Sequence, residues 1–463
     1  MNISAAIAQH VSTSEYESLP EEAIAAAKRS FLDTLGVALA GSKAPGMDAV
    51  ASIYAHQGGA PESSVWGDCS RRLPAMSAAL LNGLAAASLD YDGLHPIGLV
   101  HPGIVTIPAA LAVSERVHAS GRQFLTAVAL ADDLMCRMAL SHSERRGWNF
   151  TAVYGGLAAS IAASKIIGLS RHRLQDAMGL AYITASGTQQ PAAERSLAKR
   201  MQSAHASQCG VWAALLAEKG YNGPAAIFEG KFGIYNLYEP GDFREVINDL
   251  GVRFENTRIS MKKYPSCGCT HAVLDGLLDI ISEHAVSVDR VRAIETIISP
   301  YMDRLVGAPF SPGENPQVAA QFSVQYAVAC ALLFRRFSLD ELRIEKILDS
   351  RVREVANRVK ITVDASNGGG VAPAEIKITL ADGTVIHRRV EDLKGSPSNP
   401  FTDPEVEEKF IDCVLHGDSE RTRVSAQSLY SMMSRVEEAD DMATFFEAAM
   451  RTTTGDLRAL ADA

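Results

Sequence analysis

The sequence predicts a mostly α-helical protein, a large all-helical domain with a smaller inserted α+β lid domain. Three observations predict it. Small and apolar residues recur at helical spacing through residues 1–262, broken by Gly, Pro and polar clusters. Between residues 263 and 396 the pattern changes, and period-two alternation enters. Helical patterning then returns over residues 397–463, after a Gly/Pro/Ser-rich link. That last part is expected to pack back on the first, which makes 263–396 an insertion.

The elements follow in order. Residues 5–16 read as an arm or short helix. Pro20-Glu21-Glu22 opens a helix to Leu39, with Pro in the first turn and acids at the positive dipole end. Further helices are expected over 47–57, after Pro74, and over 104–119, 121–141, 154–167 and 170–185, with Ser170 as an N-cap. Ser64-Val65-Trp66 reads as a short strand or extended link. A polar interruption at 187–197 precedes a helix over 199–219, and 221–238 reads as a short helix and a turn. In the second part, 291–299 holds a strand and 322–333 a helix. Ser338 and Glu341 form a capping box opening a helix over 338–348. Residues 359–363 alternate, and 374–380 and 384–390 form a hairpin around Ala381-Asp382-Gly383. Helices over 404–415 and 422–449 close the chain before a mobile tail from Thr452.

Composition narrows the function. The 463 residues are 47% hydrophobic and 21% charged, an ordinary soluble balance, and aromatics at 6% favour close-packed helices over a β-sandwich. A net charge of -10 with no long basic run argues against a nucleic-acid partner. Residues 1–13 lack a secretory pattern, and the apolar stretches from Ala79 and Ile104 are too interrupted to span a membrane. The seven cysteines are scattered, which fits reduced thiols and a cytoplasmic location. Cys267-Gly268-Cys269 is not a zinc spacing, and no metal is expected.

Chemistry concentrates at four places. Residues 90–103 carry Asp90, Asp92, His95 and His101 among Gly and Pro, between two apolar helices. The others are Arg145-Arg146-Gly147-Trp148-Asn149, then Lys199-Arg200 with Gln202 and His205, and Lys262-Lys263-Tyr264-Pro265-Ser266-Cys267 with Thr270-His271. Together they suit a small polyanion, the bases pairing carboxylates and the Asp and His groups moving protons. No phosphate loop, Gly-x-Ser-x-Gly elbow or His-Glu-x-x-His is present, so the expected chemistry is metal-free, cofactor-free proton transfer.

These residues, with Phe31-Leu32-Asp33-Thr34-Leu35-Gly36, residues 155–168, 199–220 and Gln321-Phe322-Ser323-Val324-Gln325-Tyr326, make the chain resemble the MmgE/PrpD family nearly end to end. The resemblance implies a helical domain with an inserted lid, a homodimer, and an active cleft between domains. It implies action on small polycarboxylates by 2-methylcitrate dehydratases, cis-aconitate decarboxylases or an iminodisuccinate epimerase. It places the family's acidic loop position on Asp90, its loop imidazoles on His95 and His101, and its lysines on Lys199 and Lys262. The chain departs from the dehydratase and decarboxylase patterns at Asn149 (usually His) and Leu94 (commonly Thr). It departs at Cys267 (His in decarboxylases) and Gln202-Ser203-Ala204 (His-x-Gly in several relatives).

Asn and Gln hold hydrogen bonds but do not exchange protons near neutral pH. On those departures the leading expectation is an isomerase, an epimerase of an iminodisuccinate-like dicarboxylate working by α-proton removal and return. His101 or Lys199 is expected on one face and Lys262 or His95 on the other. Asp90 orients them, and Cys267 is a further candidate base. Arg146, Asn149, Gln202, Lys263 and Tyr264 are expected to bind substrate. The alternatives are a methylcitrate-type hydro-lyase, a cis-aconitate-type decarboxylase and a non-catalytic helical interaction protein.

Overall fold

The computed structural model of the chain describes residues 2–451 apart from residue 285, so the tail expected from Thr452 lies outside the described residues. Two large hydrophobic cores organise it. The first is helical. Its elements are α1 (Ile3–Thr13), α2 (Glu21–Gly41), α3 (Met47–Gln57), α4 (Ala75–Ala87), α5 (Gly103–Val117), α6 (Gly121–Leu140), α7 (Phe150–Ile167), α8 (Arg171–Tyr182), α9 (Gln190–Ala193), α10 (Ala198–Glu218) and α11 (Ile234–Leu237). A hairpin of β1 (Ser63–Val65) and β2 (Asp68–Leu73) interrupts the expected all-helical layout.

Small residues let the central helices touch. A Cβ on Gly210 of α10 would lie 2.2 Å from Ala159 Cβ of α7, and one on Gly155 of α7 would lie 3.1 Å from Ala206 Cβ of α10. α7 is also long and apolar enough to cross a membrane, but it is buried among its neighbours as a core helix. The stretches from Ala79 and Ile104 lie in α4 and α5, likewise buried.

The second core draws on residues 264–393 and takes in Leu94 and Ala192 from the first part. It contains α12 (His271–His284), β3 (Val291–Ile298), α13 (Pro300–Val306), α14 (Pro316–Gln321), α15 (Val324–Phe334), α16 (Ile344–Ile347), α17 (Ser350–Ala356), β4 (Val359–Val363), β5 (Ala374–Leu380) and β6 (Val385–Val390). The sheet order is β4-β3-β5-β6; β3 and β4 are parallel and the other pairs antiparallel. β5 alternates buried and half-buried residues under α12, while edge strand β6 carries His387, Arg388 and Arg389, charges that discourage edge pairing. The expected hairpin is therefore present, extended by β3 and β4.

Some expected helices differ. The stretch over 338–348 keeps its Ser338–Glu341 capping box but opens a 3₁₀ turn, Leu339–Leu342, before the four-residue α16. Residues 422–449 hold two helices, α19 (Arg423–Met433) and α20 (Met442–Arg451), around a second 3₁₀ turn. α12, α13, α14 and α17 were not expected. After the link, α18 (Asp403–Gly417) lies on α2, where a Cβ on Gly36 would meet Phe410 at 3.1 Å. Phe446 of α20 reaches Trp66 beside the hairpin, with ring centroids 6.3 Å apart. The C-terminal helices thus return to the first core.

Candidate active site

The segment joining α4 to α5 crosses from the first core to the second, Leu94 packing in the second and Val100 in the first. Two of its residues sit in the left-handed region, Asp90 and Leu99, both at φ 52°. Asp tolerates that region, whereas for Leu it is a true outlier. The Leu99 N–H donates to the His95 carbonyl at 2.8 Å, and a Cβ on Gly370 would meet Leu99 Cδ2 at 3.0 Å. Backbone held this way from both cores marks a site whose shape is over-determined.

Asp90 is its hub. One carboxylate oxygen takes the Lys199 ammonium, and the other takes Lys262 Nζ at 3.1 Å. Lys262 also donates to the Asp90 carbonyl at 2.7 Å. α10 delivers Lys199 from its first turn, over the Phe322 ring at 5.2 Å. Burial pushes the Asp90 carboxyl up, but Lys199, Lys262 and His101 outweigh it and hold it well below the usual carboxylate range. Burial also pulls Lys262 down, and Asp90, Asp92 and Cys267 more than restore it, so the ammonium persists.

Asp92 fixes the imidazole. Its Oδ2 lies 2.7 Å from His101 Nδ1, which also contacts the Gly93 carbonyl at 3.1 Å. Burial raises the Asp92 carboxyl, and His101 with Lys262 overrides it. With Nδ1 engaged, Nε2 is the ring atom left for proton exchange. Asp90, His101, Lys199 and Lys262 line a cavity of about 70 Å³ together with Leu94, Asn149, Cys267 and Tyr301. It adjoins a cleft of about 1030 Å³ that shares Leu99, Tyr301 and Val371 and carries Arg145, Arg258 and Arg304. Tyr301, on α13, stands between the two. Burial and then the Cys269 and Cys267 thiols push its phenol up, so it remains a proton donor. The Cys269 thiol hydrogen-bonds the Cys267 sulfur and holds that thiol below its usual value, while the same bond pushes Cys269 up.

The structure therefore brings together Asp90, His101, Lys199, Lys262, Cys267 and Asn149. It does not bring in five others. His95 is fully buried, with Nδ1 accepting from the Gly98 N–H at 2.9 Å and Nε2 3.3 Å from Glu255; both nitrogens are spent on holding the segment. Arg146 points out to Glu144 at 2.6 Å, and its neighbour Arg145 turns inward instead, over the Phe150 ring and onto the Gly98 carbonyl at 2.7 Å. Lys263 and the Tyr264 hydroxyl both bind Asp275 of α12, at 2.8 and 2.7 Å. Gln202 is absent from the wall; its Oε1 accepts from Asn149 Nδ2 at 3.4 Å, so it backs Asn149 rather than meeting a ligand. Thr151, Ser203 and Tyr301 line the cavity without having been expected. Ser203 follows Lys199 by four residues on α10, a helical-spacing signal, whereas Thr151, two residues after Asn149, and Tyr301, from a distant segment, carry none.

Residues 5–246 match the MmgE/PrpD N-terminal domain and residues 264–430 match the MmgE/PrpD C-terminal domain. The chain belongs to the MmgE/PrpD family. Among relatives, the cis-aconitate decarboxylase-like protein oryM of Aspergillus oryzae is 26% identical, across 96% of this chain and 97% of its own. Cis-aconitate decarboxylase of Mus musculus is 26% identical across 91% and 88%, and that of Homo sapiens 26% across 85% and 83%. These names overturn the expected isomerase. The relatives are decarboxylases, hence lyases, and the iminodisuccinate epimerase reading falls with them. The inference had taken the departures at Leu94, Asn149, Cys267 and Gln202-Ser203-Ala204 as withdrawing proton-transfer options of the dehydratase and decarboxylase. Leu94, Asn149 and Cys267 do line the cavity, but so do His101, Lys199, Lys262 and the unexpected Tyr301, so those departures leave a decarboxylase its proton donor.

Proposed function

We propose that this MmgE/PrpD protein is a cofactor-independent lyase that decarboxylates a small unsaturated polycarboxylate of the cis-aconitate type. The observation that carries the reading is the convergence of Lys199 and Lys262 on Asp90 in a small cavity, facing the Asp92-held imidazole of His101 and the neutral phenol of Tyr301.

The chemistry follows from the substrate class. When a carboxylate sits on a saturated carbon next to a C=C bond conjugated to a second carboxylate, its C–C bond breaks to release CO2. The bond's electron pair passes into the allyl system and onto the second carboxylate. A proton then adds at the far alkene carbon, and the double bond ends one position over. The carbon skeleton is its own electron sink. The protein supplies position, charge stabilisation and one proton. The ammonium groups of Lys199 and Lys262 stabilise the charge as it builds on the conjugated carboxylate, in a site where little water screens them. His101 through Nε2, or Tyr301 through its hydroxyl, delivers the proton. Asn149 and Leu94 shape the wall, which tunes the fit among polycarboxylates without removing an acid.

The test is purified protein with cis-aconitate in one tube and 2-methylcitrate in another, followed by CO2 release and proton NMR. CO2 together with new terminal-alkene signals from cis-aconitate supports the proposal. Alkene formation from 2-methylcitrate without CO2, and no change in cis-aconitate, would replace it with a hydro-lyase.

A further inference from the structure

Two thiols share the wall of the catalytic cavity, and the proton transfers above use neither. Cys267 and Cys269 both line it, 8% and 2% exposed. They flank Gly268, the first residue of a 3₁₀ turn over Gly268–Thr270. Hydrogen bonds fix that turn. The Cys267 N–H donates to the Gln321 carbonyl at 2.9 Å, and the Cys267 carbonyl accepts from the Thr270 N–H at 2.9 Å and the Thr270 hydroxyl at 3.0 Å. Across one helical residue, Cα atoms two positions apart lie about 5–5.5 Å from each other, inside the roughly 4.4–6.8 Å that a disulfide spans. The side chains face each other, because the Cys269 thiol hydrogen-bonds the Cys267 sulfur. Cys269 Sγ also lies 3.4 Å from the Gly370 carbonyl.

The two sulfurs differ as nucleophiles. The bond from Cys269 holds the Cys267 thiol below its usual value, with the Lys262 ammonium helping, against burial and Asp90. The same bond, with burial, pushes Cys269 up. A thiolate attacks a peroxide, and a protonated thiol beside it resolves the product. The cavity has room for the oxidant, at about 70 Å³ against the roughly 10–15 Å³ that one water needs. By contrast, Cys136, Cys330 and Cys413 are fully buried and line neither this cavity nor the adjoining cleft.

We infer that Cys267 and Cys269 are a peroxide-sensing dithiol that closes reversibly to a disulfide and switches the cavity off. The Cys267 thiolate attacks one oxygen of hydrogen peroxide and the O–O bond breaks. Cys267 becomes a sulfenic acid, and the departing hydroxide takes up a proton to leave as water. The Cys269 sulfur then displaces the sulfenic hydroxyl, which leaves with the thiol proton as a second water. In sum, two thiols are oxidised to one disulfide and one peroxide is reduced to two waters. Closure takes the Cys269 S–H away from the Gly370 carbonyl, and Gly370 packs on Leu99 of the catalytic segment. It also takes from Lys262 a sulfur whose negative charge favours the ammonium.

The experiment treats the full chain with hydrogen peroxide, blocks the remaining thiols with iodoacetamide in denaturant and maps the peptides by mass spectrometry. Expected is an unalkylated peptide holding both cysteines and lacking two hydrogens, formed at least tenfold faster than any change at Cys330 or Cys413 and reversed by dithiothreitol. Turnover of cis-aconitate, the one arm that rests on the proposed function, should fall at least tenfold as the bridge forms and return with the thiols. In Cys269→Ser no bridge can form, so Cys267 should pass on to sulfinic acid, which dithiothreitol does not reverse. Should that variant not fold, phenylarsine oxide, which clamps paired thiols, is expected to form a one-to-one adduct at Cys267 and Cys269 of the wild-type chain and to block the bridge. No bridge in the wild type, a bridge to another cysteine, full turnover with the bridge closed, equal reversibility in Cys269→Ser or no arsenical adduct would overturn the inference. A chain that bridges but never acts on cis-aconitate would overturn the decarboxylase reading and leave the dithiol standing.

Discussion

Lys262 and Lys263 are chain neighbours with opposite fates. Lys262 is buried against Asp90, whereas Lys263 leans on Asp275 with 40% of its side chain exposed. Lys262→Met is therefore expected to lower kcat/KM for CO2 release by about 10²–10³-fold, the usual loss when one charge-stabilising donor is removed. Lys263→Met should stay within about threefold. Parallel steady-state kinetics check both, and comparable losses would refute the placement of Lys262. A second residue, Asp132 on α6, carries a pH signature. Burial pushes its carboxyl up to about 7, against the partial relief of hydroxyl bonds from Thr106 at 2.5 Å and Ser30 at 3.1 Å. A carboxyl raised on folding binds its proton more tightly in the native state, so folding stability falls as pH rises from the unfolded value, near 3.8, through about 7. Asp132→Asn removes that loss. Relative to wild type, the variant should gain stability between pH 4 and pH 8, by up to roughly 4 kcal/mol at about 1.4 per pKa unit. Urea midpoints at both ends of the range measure it, and a pH-independent difference would contradict the assignment.

At the scale of the element, the close approach of α7 and α10 sets the cavity's width, because Asn149 caps one helix and Lys199 begins the other. Gly210→Ala places a methyl group 2.2 Å from Ala159 Cβ and 2.6 Å from the Ser160 nitrogen, and neither is a flexible chain end. Overpacking of this kind costs about 1–3 kcal/mol. The variant should melt earlier and lose activity, while Gly368→Ala, with open space around it, should melt as wild type does. Differential scanning calorimetry decides. The same helices show why so much of the fold was legible. Helix 47–57 was expected with its observed ends, and α6 and α10 came within a residue or so, because Gly46 and Gly58 bound the first and Ser120 and Gly220 mark ends of the other two. Residues 338–348 misled because a capping box looks the same before a 3₁₀ turn as before a helix. At the site, residue types identified the segment and both lysines, but side-chain direction was not legible. Arg145 and Arg146 are indistinguishable in sequence, and His95 and His101 share one segment. Only packing shows that His95 faces Glu255 while His101 faces the cavity.

For the whole molecule, the question is how a C-terminal helix influences chemistry between two cores. α18 reaches the site through Lys409, which is 7% exposed. Its ammonium pairs with Asp33 of α2 at 2.6 Å, donates to the Tyr91 carbonyl at 2.9 Å and lies 4.0 Å from the Tyr91 ring centroid. Tyr91 follows Asp90 directly, so one buried cation ties the two ends of the helical part to the hub of the cavity. Burial raises the Asp33 carboxyl and Lys409 opposes it, which means that the aspartate relies on that lysine to stay ionised. Removing one partner of a buried pair costs about 3–5 kcal/mol, because the other charge is left uncompensated. Lys409→Met should show a loss of that size in urea unfolding. Asp33→Asn/Lys409→Met should recover more than half of it, since no charge is stranded. Activity should separate the two roles of the lysine. The double variant regains stability but still lacks the bond to the Tyr91 carbonyl, so kcat/KM should remain at least tenfold below wild type. If activity recovered together with stability, Lys409 would be a fold contact alone, and the Asp90 turn would hold its shape without help from the C-terminal helix.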